Sequence, residues 1–156
     1  MNLYNENDTN AADWLSNLIL MGEIPDGHVD RRSIKELGTV SFQGVTQFHA
    51  FAGIGGWPLA LKLAGWPPGR EVWAGSCPCQ PFSSAGKGLG ESDARHLWPD
   101  FFRLIAERRP RVVFGEQVAS KAGLGWLDGV FSDLEGEGYT CGAVVVGAHS
   151  VGAPHI

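Results

Sequence analysis

The chain has 156 residues, which predicts one domain large enough for a hydrophobic core, and its formal net charge is −5. Tight nucleic-acid binding needs clustered basic residues, so this charge argues against tight DNA binding by this chain alone. No apolar run approaches the ~18 residues of a membrane span, and the acidic leader before Trp14 argues against a secretory signal.

Residues 1–45 predict an N-terminal helical extension without recognisable chemistry. Residues 1–10 are polar and predict disorder. Apolar residues at helical spacing predict an amphipathic helix over residues 11–21. Asp30 is the expected N-cap of a second short helix over residues 31–37. A more strongly patterned unit over residues 46–156 is expected to follow this extension.

Strands and helices alternate throughout this second unit. The predicted strands cover residues 46–51, 71–74, 111–114 and 139–147, and the predicted helices cover residues 57–64, 93–109 and 124–137. This alternation predicts an α/β fold in which a mainly parallel sheet is covered by helices on both faces.

A glycine-rich segment, residues 51–56, lies between the first strand and the first helix of this unit. Such a turn lets a ligand approach backbone N–H groups beside a helix N-terminus. The segment lacks the full dinucleotide fingerprint, because Trp57 and Pro58 follow Gly56 at once. On its own it favours a tight turn slightly over a ligand site.

Two further segments follow strands and should reach the same edge of the sheet. Residues 75–83 carry Cys77 and Cys79, and a stabilised thiolate there could act as a nucleophile. Residues 115–118 carry a carboxylate, Glu116. Taken singly, the first segment fits two buried thiols in a proline turn, and the second fits a solvated loop glutamate. The cysteine spacing argues against a structural zinc site.

Taken together and in this order, the segments resemble the motifs of the DNA cytosine-5 methyltransferases. Residues 51–56 are similar to the motif that holds S-adenosylmethionine, and Pro78-Cys79-Gln80 is similar to the catalytic loop. Residues 116–118 are similar to the Glu-Asn-Val motif, with Gln in place of Asn. The resemblance covers residues 46–156 and implies a partial catalytic domain with a three-layer Rossmann-like fold and a reduced parallel sheet.

The resemblance implies that the Cys79 thiolate adds to carbon 6 of a cytosine flipped out of double-stranded DNA, so that carbon 5 accepts a methyl group. Glu116 would hydrogen-bond the ring and stabilise the charge that develops. The implied cofactor-binding residues are Phe51, Ala52, Gly53, Gly55 and Pro78, and the implied substrate-binding residues are Gln80, Ser83, Gln117 and Val118. Cys77 and Cys141 are interpreted as structural, and no metal or membrane is implied.

Two features depart from the family pattern. Gly56 and Ser76 lie close together in the sequence, whereas the family places two further strands between these points, with acidic residues for the ribose and the adenine amine. The adenosine pocket is therefore expected to be reduced or rebuilt, with the glycine-loop strand near a sheet edge. We also expect a target recognition domain to be absent, and therefore expect weak DNA binding and slow or no methyl transfer by the isolated chain.

Three other functions stay open. A pyrimidine carbon-5 enzyme with a different donor would keep the roles of Cys79 and Glu116. A non-catalytic remnant would bind a protein or nucleic-acid partner without cofactor affinity. A redox protein is a weaker alternative, because the usual redox motif has two residues between its cysteines. The odd cysteine count and the resemblance lead us to expect a cytoplasmic protein, encoded by a bacterium or phage and related to restriction-modification enzymes.

Overall fold

A computed structural model of the chain describes residues 1–78 and 97–153. These residues form a five-stranded sheet in the order β2-β1-β3-β4-β5, and every neighbouring pair is parallel. The strands are β1 Asn2–Asn5, β2 Gly27–Asp30, β3 Gln47–Ala50, β4 Val72–Gly75 and β5 Val113–Phe114. The predicted α/β class with a parallel sheet is confirmed.

Four α-helices lie in the described part of the chain: α1 Thr9–Leu20, α2 Gly56–Leu63, α3 Trp98–Arg108 and α4 Lys121–Gly136. Short 3-10 helices occur at Ile34–Glu36, Thr39–Phe42 and Ala148–Val151. The four α-helices match the predicted ones to within a few residues, although residues 93–96 lie outside the described part. None of the described helices is long and apolar enough to cross a membrane.

The larger core lies between the sheet and α3. Leu3, Phe48 and Trp73 stand side by side in the strand register and are at most 3% exposed. Phe101 of α3 packs against them, with its ring centroid 6.3 Å from that of Phe48. Each large side chain buried in this way contributes roughly 1.5–3 kcal/mol to folding. We call this side of the sheet the α3 face.

Alternate residues of the same strands point to the opposite side, which we call the α1 face. Tyr4 lies there in a second cluster with Leu15 of α1, and its ring stacks on His49 at 5.0 Å. Phe114, which pairs with the same-face residue Ala74, stacks on Trp57 of α2 at 5.8 Å. Helices α1 and α2 therefore cover the same face of the sheet.

The N-terminal segment differs from the sequence prediction. Disorder is predicted for residues 2–5, but they form β1, in which all four residues are buried. Gly27–Asp30 forms β2, so Asp30 ends a strand and does not cap the predicted helix over residues 31–37, where only a 3-10 turn forms. Because β1 and β2 join the sheet, β3 lies at its centre. The expected edge position of the glycine-loop strand is therefore wrong.

The strand predicted over residues 139–147 is also wrong. These residues form no strand, and β5 is the last strand on that side of the described sheet. The three valines 144–146 are 81%, 74% and 60% exposed. Their β-branched side chains favour a strand, but a strand also needs a hydrogen-bonded neighbour. Cys141 packs partly buried against the larger core, in keeping with its structural interpretation.

Candidate active site

Three strands end side by side at the carboxyl-terminal edge of the sheet, where the chain leaves each strand. The register pairs Ala50 with Gly75 and Ala74 with Phe114, so β3, β4 and β5 finish at the same level. Parallel strands leave their following segments at one edge, where open α/β sheets bind ligands. The glycine-rich segment, the start of the Cys79 segment and the Glu116 segment all leave from this edge.

The glycine-rich segment turns sharply between β3 and α2. Gly53 and Gly55 have φ angles of 53° and 85°, and Phe51 has a φ of 52°. This left-handed conformation is easy for glycine and costs roughly 1–2 kcal/mol for another residue. The strain at Phe51 is offset by packing, since its ring meets Phe101 edge-on at 6.0 Å. The turn is thus held in a fixed shape directly before the helix N-terminus.

The N-terminal strand β1 fixes the position of this turn. The Ala52 N–H donates to the main-chain oxygen of Asn5 at 2.9 Å. The Gly53 N–H donates to Oε2 of Glu6 at 2.8 Å. Sequence reasoning missed Asn5 and Glu6, because the polar composition of this stretch predicts disorder. The available signal was a carboxylate placed directly after a short stretch with two apolar residues.

The Cys79 segment begins at the end of β4. Cys79, Gln80 and Ser83 lie outside the described residues. The Ser76 hydroxyl accepts a 2.9 Å hydrogen bond from Nε1 of Trp57, which ties this segment to the start of α2. Pro78 follows at the same edge and is half-buried.

Cys77 is separated from this chemistry by burial. Its side chain lies in the core on the α3 face and is 8% exposed. Burial raises the pKa of the Cys77 thiol to about 12. The thiol therefore stays protonated near neutral pH, and a protonated thiol is a poor nucleophile. The structure agrees with the structural interpretation of Cys77.

The Glu116 segment follows β5 at the same edge. Glu116 is exposed, while Gln117 beside it is half-buried. Oε1 of Gln117 accepts from the Val118 N–H at 2.9 Å, and its Nε2 atom is buried without a partner among the described residues. The carboxylate of Glu116 is thus presented to solvent beside β4.

Two surface clefts lie elsewhere. One is bordered by Pro25, Gln47 and Trp66, and the other by Arg111 and Tyr139. Gln47 begins β3 and Arg111 precedes β5, so both clefts open at the opposite edge of the sheet. We therefore locate the candidate site from the three converging segments and not from these clefts.

The sequence profile of the C-5 cytosine-specific DNA methylase family matches residues 67–156, more than half of the chain. The chain belongs to this family. The matched range contains β4, the Cys79 segment and the Glu116 segment, so the resemblance seen in the motifs is confirmed. The glycine-rich segment and the whole N-terminal segment of this chain lie outside the matched range.

The curated relatives that resemble this chain are Type II methyltransferases. M.NgoMIV of Neisseria gonorrhoeae is 46% identical over 50 residues, which cover 32% of this chain and 16% of the relative. M.HhaI of Haemophilus parahaemolyticus is 34% identical over 91 residues, covering 56% and 28%. M.HgiBI of Herpetosiphon aurantiacus is 30% identical over 106 residues, covering 44% and 24%. This chain therefore spans less than a third of each relative's length. No solved structure matches the chain.

Proposed function

We propose that this methylase transfers a methyl group from S-adenosylmethionine to carbon 5 of a cytosine in double-stranded DNA. The observation that carries the proposal is that the glycine-rich, Cys79 and Glu116 segments leave the sheet at one edge, where β3, β4 and β5 end together. The family profile matches the last two of these segments. Such an edge is where open α/β sheets bind nucleotide-like ligands.

The residues of the glycine-rich turn fit the proposed cofactor. Phe51, Ala52, Gly53 and Gly55 would line its site, and Pro78 would border it. The N-terminus of α2 attracts negative charge, and the amino-acid part of this cofactor carries a carboxylate. When bound, the cofactor supplies a methyl group activated by a positively charged sulfur.

Cys79 is the proposed nucleophile. Its thiolate adds to carbon 6 of the base, which gives carbon 5 the electron density to accept a methyl group. Loss of the proton from carbon 5 then breaks the bond between sulfur and carbon 6 and restores the ring. The position of Cys79 supports this role, because it follows closely after the end of β4, while burial removes Cys77 as a competitor.

Glu116 is the proposed stabiliser of the activated ring. Its exposed carboxyl group would accept a hydrogen bond from the exocyclic amine and share a proton with the neighbouring ring nitrogen as negative charge develops on the ring. Gln80, Ser83, Gln117 and Val118 would contact the flipped base. Reaction within the stacked duplex is excluded because neither face of carbon 6 is open there.

DNA affinity is expected to be low for this chain alone. Its net charge is −5, and most protein–DNA affinity comes from lysine and arginine contacts to phosphates. We therefore expect detectable reaction only at low salt and high concentrations of protein and DNA.

A trapping experiment tests the nucleophile. The chain would be incubated at low salt with S-adenosylmethionine and a DNA duplex containing 5-fluorocytosine, in which the final proton loss is blocked. The wild type and Cys77→Ala should form a covalent complex on a denaturing gel, whereas Cys79→Ala should form less than about one hundredth as much.

Cys77→Ala is the matched control, because it removes a neighbouring thiol on the same segment. Wild-type yield from Cys79→Ala would refute the assignment of the nucleophile. Absence of a complex from the wild type itself would refute the proposed activity of this chain.

A further inference from the structure

The two halves of the sheet are connected in an unusual way. The α1 connection runs from β1 outward to β2, whereas the α2 connection runs in the opposite direction, from β3 to β4. Both helices cover the α1 face, as the contacts of Leu15 and Trp57 show. Two parallel crossovers that run in opposite directions over one face have opposite hands. About 98% of such crossovers are right-handed, so one connection breaks a strong rule.

Transposing one unit removes the conflict. If the unit β1-α1-β2 came after α2 in the chain, both connections would step in the same direction and share one hand. The return from β2 to β4 would then cross the α3 face. The segment that follows β2 already lies there, since Ile34, Leu37 and Phe42 belong to the larger core. In space, the N-terminal segment therefore takes the place that two further strands between Gly56 and Ser76 would occupy.

This arrangement carries Glu6 to the candidate site. Glu6 directly follows β1, and β1 is the neighbour of β3 on the side away from β4. The Glu6 N–H donates to the main-chain oxygen of Asp30 at 3.0 Å. Hydrogen bonds from Arg32, the closest at 2.5 Å, fix the Asp30 carboxylate and hold its pKa below the ordinary value. The end of β2 thus supports Glu6 and is itself already engaged.

The Glu6 carboxylate is oriented but not saturated. Oε1 accepts from the Asp8 N–H at 2.9 Å, and Oε2 accepts from the Gly53 N–H at 2.8 Å. A carboxylate has about four acceptor positions, so one position on each oxygen remains. Two adjacent acceptors match the two neighbouring hydroxyl groups of a ribose. In nucleotide-binding sheets, a carboxylate after the strand beside the glycine turn binds such hydroxyls.

We propose that the N-terminal segment completes the cofactor site and that Glu6 accepts hydrogen bonds from the ribose hydroxyls of the methyl donor. This inference rests on the proposed function, because the donor is taken to be S-adenosylmethionine. Glu71 is the only acidic residue between Gly56 and Ser76 in the sequence, and this scarcity is the reason to consider a different donor. Glu6, from earlier in the chain, would supply the missing carboxylate. The segment is therefore a working part of the site.

A calorimetric titration of Glu6→Gln tests the proposal. The probes are S-adenosylhomocysteine, which carries the same nucleoside, and its 2′-deoxy derivative. Hydrogen bonds to a charged acceptor are the stronger kind, so Glu6→Gln should weaken binding of the ribose compound about tenfold. It should change binding of the deoxy compound much less, because one of the hydrogen bonds is already missing there.

Glu23→Gln is the matched control, because Glu23 is exposed and lies after α1 at the opposite edge of the sheet. It should leave both affinities unchanged. Equal weakening of both compounds by Glu6→Gln would show that Glu6 acts only by shaping the glycine turn, and would overturn the proposal. Unchanged affinity would also overturn it. If the wild type binds neither compound, the proposed cofactor itself fails, which is a separate result.

Discussion

His49 lies in β3 with none of its side chain exposed, stacked on Tyr4. Neither ring nitrogen has a hydrogen-bond partner among the described residues. Burial lowers the pKa of His49 from 6.5 to about 4. Between pH 6.5 and pH 4, His49 therefore binds a proton in the unfolded protein but stays neutral in the folded protein. Stability from this residue is fully present above pH 6.5 and is lost as the pH falls through 4.

Substitution of His49 should flatten this dependence. Between pH 7 and pH 4, the free energy of unfolding of the wild type should fall by about 3 kcal/mol more than that of His49→Phe. Phenylalanine keeps an aromatic ring next to Tyr4 and removes the titrating group. Urea unfolding at pH 7, 5.5 and 4 measures the difference. His28→Gln, at an exposed position of β2, should follow the wild type; a parallel pH dependence in His49→Phe would contradict the interpretation.

Gly75 ends β4 directly before the Cys79 segment and has no room for a side chain. A Cβ atom there would lie 2.9 Å from Cε1 of Phe101 and 3.0 Å from Cβ of Ala50. Gly75→Ala should therefore lower the free energy of unfolding by about 1–3 kcal/mol through overpacking. Thermal unfolding measures the change. Gly69→Ala is the control, because nothing lies within 4 Å of its Cβ position, and an equal loss there would refute the steric explanation.

At the scale of an element, α4 contains glycines with opposite roles. Gly129 is exposed in the helix interior with nothing within 4 Å of its Cβ position. A Cβ atom at Gly123 would lie 2.3 Å from the main-chain oxygen of Val118. This close approach sets the first turn of α4 against the segment that carries Glu116.

The two glycines should respond in opposite directions to alanine. Gly129→Ala should stabilise the protein by about 0.5–1 kcal/mol, because alanine loses less backbone entropy in a helix. Gly123→Ala should destabilise it, since a backbone atom must move. Urea unfolding of both variants measures the signs. A destabilised Gly129→Ala would contradict the open position assigned to that residue.

Elements with a regular apolar pattern could be predicted from the sequence, and β1 could not. The pattern located α1, α2, α3 and α4 and the strands β3 to β5. Strand β1 begins and ends with asparagine, and both asparagines are buried. Asn2 donates from Nδ2 to the Asp26 oxygen at 2.7 Å, and Asn5 donates to the Arg32 oxygen at 2.8 Å. These partners are distant along the chain, so local sequence could not show that the polar groups are satisfied.

The candidate site divides in the same way. The glycine-rich, Cys79 and Glu116 segments each carry a local motif that follows a strand, so the sequence alone indicated that they share an edge. Glu6 carries no such motif, and it meets Gly53 across 47 residues. Only the sheet order brings the two together.

At the scale of the whole molecule, the sheet joins two stretches of chain whose spatial order differs from their order in sequence. The family profile matches residues 67–156, on one side of the central strand β3. The other side is built from β1 and β2, which both precede β3 in the chain. The chemistry proposed for Cys79 and the binding proposed for Glu6 therefore come from opposite flanks of β3.

The central position of β3 also bears on how the chain folds during synthesis. The ribosome makes β1, α1 and β2 before β3, so a partner for one side of β3 exists when β3 emerges. The partner on the other side of β3 is β4, which is synthesised later. Only the helix α2 lies between β3 and β4 in the chain. Exposed strand edges favour aggregation of nascent chains. The transposed order therefore shortens the period in which the glycine-loop strand is left without neighbours.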